Sequence, residues 1–169
     1  MTISAVTIFC RSLRQLSDML DQLTSQPQIL TARLHPEMLP FASQVNAAIS
    51  FSLRGCCPLA GREVVGFNDG GSLQQQIART IAYLEAIPEP EFEGSSERLC
   101  HDRAGFADIA LPGDAFLQLY ILPNFYFHFS MAYAIARSCG AQIGKGDFDG
   151  YHLYAPGFSF EKPGLAQPV

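Results

Sequence analysis

The chain has 169 residues, a formal charge of -5, and 48% hydrophobic against 16% charged side chains, which fits one globular domain that can bury a core without metal or disulfide staples. Its few Lys and Arg residues are scattered rather than striped, which excludes the basic face a nucleic-acid partner would need. Five cysteines at irregular spacings (Cys10, Cys56, Cys57, Cys100, Cys139), with no secretory leader in view, point to reduced thiols in a cytoplasm.

Residues 4–23 place Val6, Phe9, Leu13, Leu16, Leu20 and Leu23 at three- and four-residue spacings, with Arg11, Arg14, Asp18 and Asp21 mostly between them. This predicts a first amphipathic helix capped by Ser4 or Thr2. A short helix or turn follows over 29–34. The second helix starts either near Pro36 or at Pro40, since proline suits a first turn. Its inward face is Phe41, Val45, Ala48, Ile49 and Leu53, with Gln44 on or beside that face, and Gly55 is its expected terminator. The following stretch, from Cys56 to Gly71, reads as a long surface connection.

Ser72 followed by Gln75 matches a capping box and opens a third helix to about Ile87, with Leu73, Ile77, Ile81 and Leu84 inward. Two short runs around Arg103-Ala104-Gly105 predict a small hairpin. A last long helix begins at Pro112-Gly113-Asp114, with Asp114 as a cap, and closes at Gly140, while Pro123 inside it should kink it or remake its start. From Ala115 to Ala136 there is no charged residue, and apolar side chains point all round. That pattern marks a buried central helix or a membrane span. The membrane reading is disfavoured by Gln118, Pro123, Asn124 and His128 within the run and by the lack of flanking basic clusters. The expected architecture is therefore an all-α four-helix bundle with a small β-hairpin before the last long helix. Residues 1–150 form the single bundle domain and 151–169 an irregular C-terminal arm.

Asn124 and His128, four apart, share one face of the last helix. They make a polar spot inside the bundle, which serves as a small-molecule site or as a self-satisfied core network. The aromatic side chains of this helix, Tyr133 among them, would line such a site, pack in the core or form a two-fold homodimer face. Arg33, just before the second helix, is a candidate contact for an acidic ligand or a partner in a salt bridge. His35, His101 and His152 are too far apart in sequence to pair at metal spacing and fall on the surface. Cys56 and Cys57 are adjacent loop thiols, and Cys139 is assigned to packing. The Gly-rich run 140–146 lacks the spacing and the Ser or Thr of a phosphate loop.

Three blocks carry a family resemblance: Ala32-Arg33-Leu34 with Pro36-Glu37-Met38, then 123–128 with Ala132-Tyr133-Ala134-Ile135, then Ile143-Gly144-Lys145 with Asp147-Phe148. Together, over residues 1 to 150, they resemble the domain-of-unknown-function family nineteen ninety-three, which looks like a branch of the DinB/YfiT-like superfamily. The resemblance implies a four-helix bundle, often dimeric. It also implies an interior three-histidine metal site, with one histidine from the second helix and two, four apart, from the last. Some branches are metal-dependent thiol transferases. Here the matching positions are Gln44, Asn124 and His128, so only His128 is a ligand suited to zinc or nickel. The sequence thus favours a dimeric, cytoplasmic bundle protein binding a small molecule around His128, without nucleic acid or membrane. A divalent-metal thiol transferase and a ligand-free structural dimer are the competing readings.

Overall fold

The computed structural model describes residues 4–155 and residue 158. Helix α1 (Ala5–Gln22) is capped by the Ser4 hydroxyl, which accepts the Thr7 N–H at 3.1 Å. Its predicted stripe is its buried face, with Phe9, Leu13 and Leu16 fully enclosed. A 3-10 turn (Pro27–Thr31) leads to α2 (Phe41–Leu59), for which Pro40 is the N-terminal flanking residue. Helix α3 (Leu73–Glu85) opens with the predicted reciprocal capping box of Ser72 and Gln75. A second 3-10 turn (Glu89–Phe92) precedes the antiparallel hairpin of β1 (Leu99–Ala104) and β2 (Ala107–Pro112), in which Leu99 lies opposite Pro112 and Ala104 opposite Ala107.

The last long helical segment has three parts: α4 (Gly113–Ala115), a π-helical stretch (Phe116–Ile121) and α5 (Leu122–Ser138). Pro123 explains the division. It offers no N–H, and its ring crowds the preceding turn. The chain answers with a widened turn, in which the Leu122 N–H reaches the Leu117 carbonyl. Asp114 lies in the first turn but makes no side-chain cap, a role expected of it from sequence; Pro112 holds that flanking position. At the other end Gly140, at φ 85°, closes the helix. The Gly140 N–H bonds the Arg137 carbonyl and the Ala141 N–H the Ala136 carbonyl, the double bond of a Schellman cap. A short α6 (Lys145–Asp149) then folds back, and Phe148 packs on Phe129 and Tyr133.

Three expectations are corrected. Gly55 does not end α2, which continues one more turn through Cys56, Cys57 and Pro58. A Cβ at Gly55 would stand 2.7 Å from the Ile121 Cγ2 and 3.3 Å from the Phe9 ring, so this glycine lets α1 and the π-helical stretch approach α2. Cys56 and Cys57 are consequently fully buried rather than in a loop, whereas Cys139 is exposed. The central helix is α2 and not α5. Helix α2 packs on α1, α3, α5 and β1, while α5 leaves Phe127 52% exposed and Tyr126 37%. Freedom from charge marks a helix that avoids water on some faces, and here one of those faces is open. Among the described residues, no helix is long and apolar enough to cross a membrane.

Candidate functional site

Helices α2 and α5 form the most extensive helix pair in the bundle, and their facing sides bring Gln44 to His128. Gln44 is 2% exposed, so its amide must find partners inside the protein. Its Nε2 donates to the Leu39 carbonyl at 3.3 Å, which turns Oε1 toward the imidazole, 2.7 Å from His128 Nδ1. A carboxamide oxygen only accepts, so Nδ1 carries the proton and donates. The neutral ring therefore holds its lone pair on Nε2. That atom has no hydrogen-bond partner among the described residues, and it is not among their buried unpartnered atoms. It faces solvent.

The surroundings keep this imidazole neutral. Burial pushes the His128 pKa below its ordinary value of 6.5, and the nearby Arg54 guanidinium lowers it further. The ring stacks on Phe51, with centroids 5.5 Å apart and planes at 21°, and meets the edge of Phe127. Arg54 lies 4.2 Å from the Phe51 centroid. It donates to Asp102 Oδ2 at 2.8 Å, to the Arg103 carbonyl at 2.9 Å and to the Tyr120 hydroxyl at 2.8 Å. One guanidinium thus joins α2, the hairpin and the π-helical stretch beside His128.

The other candidate residues lie elsewhere. Asn124 points back along its own helix and donates Nδ2–H to the Tyr120 carbonyl at 2.7 Å, in the turn that Pro123 disturbs. Arg33 is exposed, and its Nη1 bridges the Pro36 and Met38 carbonyls, which shapes the loop that carries Leu39 into α2. Tyr133 packs against Phe148. His35, His101 and His152 are exposed, as expected, with His152 bonded to Asp149. The sequence reading missed Phe51, Arg54, Asp102 and Tyr120. Helical spacing held a signal for two of them, since Phe51 is seven residues beyond Gln44, and Tyr120 is four before Asn124 and eight before His128. Nothing in sequence joined the hairpin's Asp102 to Arg54.

The three-histidine site implied by the resemblance does not fit these residues. Among the described residues, no three His, Cys, Asp or Glu side chains converge, and the His128 Nδ1 is taken by a carboxamide. A single imidazole nitrogen remains, which is too few donors for a transition metal.

A search of the curated proteins finds no match. Among solved structures, the crystal structure of a DinB family member protein from Shewanella denitrificans is similar, with a TM-score of 0.75 and 26% identity over 89% of this chain and 92% of that one. The family model for a domain of unknown function, DUF1993, matches residues 1–149. With its helical bundle and its hairpin before the last long helix, the chain belongs to the DUF1993 family.

Proposed function

We propose that this DinB-like protein binds a small molecule between α2 and α5, with His128 Nε2 as the accepting atom. The observation that carries the reading is the Gln44–His128 bond. It fixes the tautomer from the buried side and leaves an unpaired lone pair on a ring kept neutral by burial and by Arg54. A neutral imidazole in this state accepts a hydrogen bond from a ligand's hydroxyl or amide, and the Phe51 and Phe127 rings offer apolar contact beside it. Arg54 holds the hairpin against the site and is a positioning residue.

The test is a ligand-observed NMR screen of uncharged hydroxyl- and amide-bearing fragments against the protein and a His128→Ala variant. Fragments whose binding disappears in the variant support the reading. A screen in which no fragment depends on His128 sinks it.

The reading includes a homodimer in a cytoplasm. All five thiols are free, which suits a reducing compartment. Leu119, 75% exposed, and Phe127, 52% exposed, leave apolar surface on the charge-free segment that a two-fold copy would cover. Light scattering over a concentration series should give twice the chain mass, reduced to the monomer by Leu119→Asp. A monomer at every concentration would remove the dimer from the reading.

A further inference from the structure

A concavity lies where the end of α1, the 3-10 turn at Pro27–Thr31 and the first turns of α2 and α3 meet. It has a volume of about 320 Å³ and is open to solvent on one side. Its floor is Leu20, Leu23, Ile29 and Phe41, all buried, and Gln26 and Gln74 stand half-buried beside it, while the Thr24 and Ser72 hydroxyls that also line it are engaged with the Asp21 carbonyl and the Gln75 N–H. None of Gln44, Asn124 and His128 lines it, so it is separate from the site above.

Three properties define what it would hold. Its volume is at the small end of the range of about 300–1,000 Å³ found for small-molecule pockets. The floor offers no polar atom from a side chain, whereas a water needs two to four polar partners to be held well. Among the described residues, no Asp, Glu, Lys, Arg or His contributes to the lining, so an ionised ligand would leave water without a counter-charge. We propose that this cavity binds an uncharged, mainly apolar molecule of one or two rings, with a single hydrogen-bonding group met by Gln26 or Gln74.

Indole is a suitable probe, since it is neutral and carries one N–H. Titration of the full chain, followed through backbone amide resonances, should give saturable shifts at Leu23, Ile29 and Leu73. Indole-3-acetate and tryptamine present the same bicycle with opposite charges and should bind about tenfold more weakly or worse. Ala42→Leu fills the cavity and Gln74→Glu charges its lining. Each should weaken indole binding about tenfold, and if one variant fails to fold the other decides. Shifts that rise linearly to the solubility limit would overturn the proposal. So would shifts centred on His128, binding that survives both substitutions, or a charged analogue that binds as well as indole. The His128 reading stands or falls separately, because its fragments are scored by loss in His128→Ala.

Discussion

Gln44 Oε1 accepts the Nδ1 proton of His128 at 2.7 Å, and the same amide is anchored on its other side by the Leu39 carbonyl. The bond orients the imidazole from beneath, and burial with Arg54 determines its charge. The His128 titration, followed by NMR, should therefore have its midpoint below 6.5. Arg54→Gln should raise it only in part, because burial is the larger cause. The sign for stability follows from linkage. The unfolded chain binds the proton more readily, so this contribution is fully present above pH 6.5 and is lost as pH falls toward the lowered folded value. A midpoint at or above the ordinary value would contradict the assignment of a neutral, partly desolvated ring.

Gly55→Ala should destabilise although alanine is the better helix former by about 1 kcal/mol. The new methyl would meet Ile121 Cγ2 at 2.7 Å and the Phe9 ring at 3.3 Å, and such overpacking costs about 1–3 kcal/mol. Gly113→Ala should cost more, because its methyl would be driven into the Ser95 backbone carbonyl, which cannot rotate away as a side chain can. Urea denaturation of the two variants orders them. Equal or reversed costs would show that the Ser95 segment yields easily.

What the sequence made legible was whatever local chemistry decides. The Ser72 box, the Gly140 cap, the hairpin around Gly105 and the effect of Pro123 all follow from residues within a few positions of one another. Gln44, Asn124 and His128 were legible as polar side chains on apolar helices, and two of the three meet. Asn124 was diverted to the Tyr120 carbonyl on its own helix, a contact that side-chain spacing does not specify. Gly55 misled because a glycine that ends a helix and one that admits a neighbouring helix look alike in sequence. The Arg54–Asp102 pair joins residues 48 apart in the chain, and no periodicity encodes that contact.

Ser72→Ala should cost about 0.5–2 kcal/mol. The hydroxyl accepts the Gln75 N–H at 3.2 Å, and Gln75 returns the bond to the Ser72 N–H at 2.9 Å, so the substitution removes one arm of a reciprocal pair. Ser72→Asp keeps an acceptor and should recover most of the loss. Recovery failing with Asp would mean that the hydroxyl acts in another way.

Arg54→Ala should loosen the hairpin before the bundle. The guanidinium ties Asp102, the Arg103 carbonyl and the Tyr120 hydroxyl together, and the side chains of Arg54 and Asp102 are 22% and 15% exposed. Breaking a fully buried pair costs about 3–5 kcal/mol, and this partial exposure places the loss at about 3 kcal/mol or below. Hydrogen exchange should quicken first in the β1 and β2 amides and least in α1. Uniform acceleration across the chain would instead make Arg54 a general stabiliser of the bundle.

Burial pushes Cys10 up to about 11 and drives Cys56, Cys57 and Cys100 upward as well, and all four are enclosed while Cys139 is exposed. The thiolate is the reacting species, so a disulfide reagent such as dithionitrobenzoate near neutral pH should release about one equivalent promptly, from Cys139. The remainder should follow only at the rate of opening or in denaturant. Cys139→Ser should abolish the prompt phase and leave the slow one intact. A prompt phase that persists in that variant would show that one of the four enclosed thiols opens readily. The turn of Cys56 and Cys57 is the first place to look, because Pro58 has already removed one helix hydrogen bond there.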